Sequence, residues 1–370
     1  MKTRAAVVHQ TGKPIVIEEL NLADPGPGEV LIKYLYGGLC HSDVHIAHGD
    51  LEARLPMVLG HEGAGIIEKV GPGVTNVAEG DHVVCSFIPS CGKCRYCSTG
   101  RQSICDMGAT ILEGYLPGNR FPFTGPLGDY GAMCMLGTFS QYSVIHENSC
   151  VKVDDDLPLD KAVLVGCGVP TGWGAAVNTA DVSPGDTTVI FGVGGIGINA
   201  VQGARYAGAK NVIAVDPLEN KREKALELGA THAFATAGEA MAAVTELTRG
   251  QMADASILTV GLMEKEVVSS GFDIVGKDGT VVLTGLNKLE EQTIQLSGSL
   301  LTLFRKRVVG SLFGDCNPMV DIPKILGLYQ SGDIKLDELI TKTYTLDQVN
   351  EGYDDLLSGK NVRGVLVHEH

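Results

Sequence analysis

Aromatic residues are scarce in this 370-residue chain: they fill 5% of positions, and Trp173 is the single tryptophan. Basic residues are outnumbered, 29 Lys and Arg against 44 Asp and Glu, for a net charge of −15. An acidic excess of that size opposes phosphate-rich surfaces, so neither nucleic acid nor an anionic membrane is expected as a partner. No long apolar run is present. The uncharged stretch 187–204 is broken by Gly192, Gly194, Gly195, Gly197, Asn199, Gln202 and Gly203, so it reads as strand, turn and helix, not as a membrane span. Lys2 and Arg4 are followed by an apolar run that stops at His9, too short for a signal-peptide core. A cytoplasmic location is therefore expected. What is plentiful is glycine, 48 residues where ~7% is usual, and cysteine, ten residues. The glycines imply tight turns and close backbone approaches. The cysteines, without an export signal, point to metal ligands and buried thiols instead of disulfides. Hydrophobic residues at 44% and charged residues at 20% exclude a disordered chain.

At about 150 residues per domain, the length suggests two domains or three. Strand signals dominate the first third, at 5–8, 29–34, 65–70 and 81–86, separated by turns such as Asp24-Pro25-Gly26-Pro27-Gly28 and Gly71-Pro72-Gly73. Few helical periods appear there. From about Pro170 the pattern becomes strands at 187–191, 211–215, 255–260 and 280–284 alternating with helices, which implies βαβ units and a parallel sheet. An amphipathic helix at 346–357 and a strand at 361–368 close the chain.

Gly192-Val193-Gly194-Gly195-Ile196-Gly197 fits G-x-G-x-x-G. Glycine-rich turns are common, and the motif alone is weak. Here it follows a strand, opens a helix, and is followed by Asp216 at the end of the next strand, which makes it a dinucleotide fingerprint. Gly192, Gly194, Gly195 and Gly197 let the backbone approach a pyrophosphate at the helix N-terminus, where free N–H groups favour an anion. Asp216 can accept from the adenosine ribose hydroxyls and would repel a 2′-phosphate, so NAD(H) is favoured over NADP. A plain strand–turn–helix with a surface Asp is the bland alternative.

Cys91, Cys94, Cys97 and Cys105 follow C-x2-C-x2-C-x7-C. Four thiolates this close suit a closed tetrahedral zinc site. Bacterial ferredoxin spacing would bring the fourth cysteine in three residues later, followed by proline, so an iron–sulfur cluster is disfavoured. With four protein ligands and no open position, the site is expected to be structural.

Cys40, Ser42 and His45, then Gly60-His61-Glu62, then Gly166-Cys167-Gly168 are unremarkable one by one. A lone buried Cys or His is more often core than ligand. Together, in order with the quartet and the glycine fingerprint, they resemble the zinc-containing medium-chain alcohol dehydrogenases over the whole chain. The stretches Ser86-Phe87-Ile88-Pro89-Ser90-Cys91, Gly131-Ala132-Met133-Cys134 with Gly137-Thr138-Phe139, and Ser311-Leu312-Phe313-Gly314-Asp315-Cys316-Asn317-Pro318 resemble a bacterial subgroup. These are the nicotinoprotein alcohol dehydrogenases, assayed with a nitroso-dye acceptor and linked to mycofactocin.

The resemblance implies an α/β fold of two domains. A GroES-like β-rich catalytic domain would comprise 1–169 and 313–370, and a Rossmann domain with a doubly wound parallel sheet 170–312. It implies two zinc ions per subunit, the second held by Cys40, His61 and Cys167 with an open position for substrate. It implies that Ser42 takes the alcohol proton and that His45 releases it to solvent. Asp43 would orient His61, and Glu62 would coordinate transiently or be a buried, hydrogen-bonded acid. His41 and Arg363 would meet the cofactor pyrophosphate, His41 as a weaker cation than the arginine found in relatives. Lys221 would touch the adenosine ribose or sit on a solvated helix face. Phe87 and Leu51 would line the substrate pocket or belong to the core. Cys85, Cys134, Cys150 and Cys316 match no ligand position. The activity implied is NAD-linked interconversion of a small alcohol and its aldehyde by a homo-oligomer. In the subgroup the cofactor stays bound and an external acceptor of mycofactocin type reoxidises it. The long 106–130 segment would cover the cofactor, or be a surface loop or a subunit contact, and it also occurs in relatives that oxidise a formaldehyde–thiol adduct, which is the alternative substrate. A zinc-ribbon module gripping nucleic acid through Cys91–Cys105 is the alternative of another class, opposed by the charge balance.

Overall fold

A computed structural model describes residues 1–287, 291 and 294–370. The chain forms two compact units, one from Met1–Cys167 with Asn317–His370, the other from Gly168–Cys316. The chain crosses between them at 167/168 and 316/317, where the sequence reading put 169/170 and 312/313.

The first unit holds a closed barrel whose strands run Lys2–Val8, Val16–Leu22, Phe123–Gly125, Gly128–Ala132 and Met57–Val58. Inward residues from these strands, among them Val7, Leu20, Val58, Phe123 and Tyr130, make one apolar cluster with Leu116. Each such side chain contributes about 1.5–3 kcal/mol on burial. Part of the 106–130 segment is thus built into the barrel. It supplies one barrel strand, starts another, and places Leu116, Phe123 and Tyr130 in the core.

A second sheet of this unit is centred on Glu29–Gly38, which pairs antiparallel with Glu62–Val70, Tyr142–His146 and the C-terminal strand Arg363–Val367. The pairing Val365↔Gly38 sets the end of the chain beside Cys40 and His61. Two helices here have weak sequence signals. His41–His48 is short, and Pro318–Ser331 carries Pro318 and Pro323. The second helix forms because Pro318 takes the first turn, where no N–H is needed, and Asn317 caps it by accepting from the Met319 amide at 3.2 Å.

The second unit is a six-stranded parallel sheet in the order His232–Phe234, Asn211–Val215, Thr187–Phe191, Ala253–Leu258, Val275–Leu283, Arg307–Gly310. The order reverses at Thr187–Phe191, the first strand in sequence, which is the doubly wound Rossmann topology. Thr187–Phe191 and Asn211–Val215 are buried at every position, as parallel strands covered on both faces must be. No described helix is long and apolar enough to cross a membrane.

Candidate active site

The four quartet sulfurs converge. Cys91 and Cys97 Sγ are 4.0 Å apart, and so are Cys94 and Cys105 Sγ. A tetrahedron of Zn–S bonds about 2.3 Å long has edges of about 3.8 Å, so the quartet is sized for zinc. Backbone amides already serve the sulfurs. The Cys94 amide donates to Cys91 Sγ at 3.3 Å, and the Cys97 amide to Cys94 Sγ at 3.4 Å. The amides of Cys97 and Asp106 pull the Cys94 thiol down to about 6.

A second cluster lies elsewhere in the same unit. One donor atom each from Cys40, His61, Glu62 and Cys167 falls within 4.8 Å of the others, and all four residues are buried. Local structure explains the convergence. Cys40 caps the helix His41–His48. Gly60 has φ +89°, and a Cβ there would lie 2.6 Å from the Phe139 amide nitrogen, so only glycine lets the chain turn His61 inward. A Cβ on Gly166 would lie 2.6 Å from the Cys85 carbonyl oxygen, so glycine also brings the Cys167 loop against strand His82–Cys85.

His61 is the most telling member. Its Nδ1 donates to Asp43 Oδ1 at 3.0 Å, which leaves Nε2 as an acceptor, and that buried Nε2 has no hydrogen-bond partner. A buried polar atom left unpaired is costly unless something else binds it. Burial disfavours a cation at this ring, but the charges of Asp43, Cys167 and Cys40 outweigh it and favour positive charge there, which a metal ion on the Nε2 lone pair would supply in place of a proton. The Cys167 thiol hydrogen-bonds Cys40 and holds the Cys40 thiol well below its ordinary value. Two sulfurs, an imidazole lone pair and a nearby carboxylate are a zinc donor set with an open position.

Homology settles the family. Residues 26–155 match the model of the alcohol dehydrogenase GroES-like domain, and residues 195–330 that of the zinc-binding dehydrogenase domain. An NDMA-dependent alcohol dehydrogenase from Amycolatopsis methanolica is 63% identical, over 100% of this chain and 99% of that one. The chain belongs to the zinc-containing alcohol dehydrogenases. Alcohol dehydrogenase B of Mycobacterium tuberculosis is 46% identical over 99% of this chain and 98% of its own. The crystal structure of benzyl alcohol dehydrogenase from Acinetobacter calcoaceticus superposes with a TM-score of 0.93 at 31% identity, covering 100% of both chains. The protein is therefore a zinc-dependent oxidoreductase acting on alcohols, and the nucleic-acid alternative has no support.

The other expected residues of this alcohol dehydrogenase fall as follows. Ser42 Oγ is 3.8 Å from Cys40 Sγ, and His45 lies at i+3 from Ser42, on the same helix face. His45, expected at the solvent end, is itself only 7% exposed. Its Nδ1 bonds Asp50 Oδ2 at 3.1 Å, and the Asp50 side chain is 24% exposed. Asp50 escaped the sequence reading, because a single acid in a loop carries no signal. His41 is exposed at the first helical position. Phe87 stands edge-on to His61, with centroids 5.9 Å apart at 84°, and Leu51 is half-buried with its amide on the His45 carbonyl. The buried Glu62 carboxylate forms an ion pair with the Arg363 guanidinium. Burial pushes the Glu62 carboxyl up to about 7, against the pull of Arg363. Arg363, expected on a pyrophosphate, is thus paired with Glu62, one of the clustered donors, and its buried Nε carries no hydrogen bond.

In the Rossmann unit, Asp216 braces the glycine turn. Its Oδ2 accepts from the Val193 amide at 2.9 Å and its Oδ1 from the Leu218 amide at 2.9 Å. A Cβ on Gly192 would lie 3.0 Å from Val260, and one on Gly197 2.5 Å from Thr259 Oγ1, so both glycines are required by packing. A Cβ on Gly194 would meet nothing within 4 Å, so open space borders the start of helix Gly197–Tyr206. That space suits a pyrophosphate. Lys221 is buried beside Asp216, which removes the solvated-face alternative.

Proposed function

We propose that the protein oxidises a small alcohol to its aldehyde with NAD that stays bound, an external acceptor of mycofactocin type then taking the electrons. Cys40, His61 and Cys167 would hold the catalytic zinc, and the unpaired His61 Nε2 among two thiols carries that reading. When bound, the metal supplies a Lewis acid that lowers the pKa of the substrate hydroxyl. Ser42 Oγ receives the hydroxyl proton. His45 takes it onward, its tautomer fixed by Asp50 at Nδ1, and Asp50 leads to water. Asp43 orients His61, and Phe87 and Leu51 bound the substrate. Gly192, Gly194, Gly195 and Gly197 cradle the pyrophosphate, while Asp216 and Lys221 take the adenosine ribose.

Retention of the cofactor rests on the 63% identity to a relative named for its dependence on NDMA. We further infer a homo-oligomer. Strand Arg307–Gly310 ends the sheet with one described neighbour, and Leu303 nearby is 75% exposed. With Cys40, Cys91, Cys94, Cys97, Cys105 and Cys167 assigned to zinc, we infer a reducing compartment such as the cytoplasm.

The experiment is native mass spectrometry beside an alcohol-oxidation assay. The wild type should carry two zinc ions and one nucleotide per subunit. Cys167→Ser should keep the fold and one zinc and lose turnover. One zinc in the wild type, or full activity in Cys167→Ser, would reject the assignment.

A further inference from the structure

Asp43 is completely buried and serves two donors, the His61 Nδ1–H at 3.0 Å on Oδ1 and the Cys40 amide at 3.2 Å on Oδ2. A carboxylate offers about four acceptor sites, and unfilled sites in a buried position are costly. The helix Val349–Leu357 brings a third group to this carboxylate. Gly352 packs so closely on the residue before Cys40 that a Cβ there would lie 2.6 Å from Leu39 Cδ1. The next residue, Tyr353, is 6% exposed, and its ring packs against Phe139 with centroids 6.2 Å apart. Its buried hydroxyl makes no hydrogen bond of standard geometry. Of the charged groups around it, the Asp43 carboxylate acts on the hydroxyl most strongly, ahead of Cys40 and Glu62. A phenol carries its proton at neutral pH, so this buried, unpaired hydroxyl is a donor beside the Asp43 carboxylate.

We propose that Tyr353 is a positioning residue for the metal-binding histidine. Its hydroxyl donates to Asp43 and fixes the carboxylate that orients His61. The inference rests on the reading of Cys40, His61 and Cys167 as zinc ligands. Tyr353 touches neither substrate nor metal. It acts through Asp43, as outer partners of metal-binding histidines do.

The test follows zinc release from the intact protein into excess chelator, read with a colorimetric zinc indicator. Tyr353→Phe should release one of its two zinc ions about 3- to 10-fold faster, less than the ~10–100-fold typical of a direct partner of the histidine. The quartet zinc should leave at the wild-type rate. Tyr344→Phe is the control, because it also deletes a buried hydroxyl, one that donates to Asp355 at 2.9 Å, and it should change neither rate. In an Asp43→Asn background, Tyr353→Phe should add nothing, since both act on one path. With Co(II) exchanged into the catalytic set, the visible d–d bands should move in Tyr353→Phe and stay in Tyr344→Phe. A wild type holding a single zinc would bring down the underlying ligand assignment. Two zinc ions, with release rates and cobalt bands unchanged in Tyr353→Phe, would overturn this proposal alone.

Discussion

His61 and His368 are both buried, and each leaves one ring nitrogen without a hydrogen bond. Their surroundings separate them. His61 has Asp43 on Nδ1 and two thiols before Nε2, and its pKa is raised. His368 donates from Nε2 to the Thr138 carbonyl at 2.9 Å, and burial lowers its pKa to about 4. His368 is therefore a neutral structural residue, and it sets an acid limit on stability. The unfolded chain binds the proton near pH 6.5, the folded chain only near pH 4. Between those values the unfolded state holds more protons, so stability rises with pH and is lost on acidification. The loss through this window is on the order of 2–3 kcal/mol. His368→Gln keeps a donor for Thr138 and removes the titration. Thermal midpoints of wild type and variant, compared from pH 7 to pH 4, should show the wild type losing stability relative to the variant. A difference that stays constant with pH would contradict the assignment.

At the scale of the element, the glycine turn shows why some chemistry is legible in sequence. Gly192 to Gly197 and Asp216 belong to one βαβ unit, so spacing alone reveals them. The quartet is legible for the same reason, with all four cysteines in one lobe. Asp50, Phe87 and Tyr353 reach the site only through folding. Tyr353 had a partial signal, since Val349, Tyr353 and Leu356 line the buried face of an amphipathic helix, but periodicity cannot tell which buried side chain faces a carboxylate. Strands 187–191 and 211–215 match their predicted limits, because uninterrupted apolar runs mark buried parallel strands. Helix Pro318–Ser331 carries no such signal, since Pro318 and Pro323 interrupt its pattern. The turn also revises what Asp216 does. Besides the ribose contact proposed for it, it holds two backbone amides, each such bond to a charged group contributing about 1.5–3 kcal/mol. Asp216→Ser should shift preference toward NADP and also weaken NAD binding by about tenfold or more, roughly 1.4 kcal/mol per tenfold. Dissociation constants on nucleotide-stripped protein would check both. Unchanged NAD affinity would mean the turn does not need its brace.

For the whole molecule, the decisive property is how fast the cofactor leaves. An enzyme that exchanges nucleotide at each turnover of ~10 s⁻¹ needs release at least that fast. With association near ~10⁶ M⁻¹s⁻¹, its dissociation constant is then ~10⁻⁵ M or weaker. A cofactor that survives desalting needs release near ~10⁻⁴ s⁻¹, a dissociation constant of ~10⁻¹⁰ M, and about 7 kcal/mol more binding. The glycine turn, the helix N-terminus and Asp216 serve exchanging relatives equally well, so they do not supply that difference. The 106–130 segment is committed in part to the barrel core through Leu116, Phe123 and Tyr130. If the cofactor is retained, an alcohol reduces each bound NAD once, and further turnover needs a second molecule to take the hydride in place. Protein desalted exhaustively should then bleach a nitroso dye steadily on addition of alcohol, with no NAD supplied. Without dye, the same sample should form one equivalent of bound NADH per subunit and stop, and added aldehyde should be dismutated to acid and alcohol. Dye reduction that appears only when free NAD is restored would make this an exchanging alcohol dehydrogenase, with retention absent and the zinc chemistry intact.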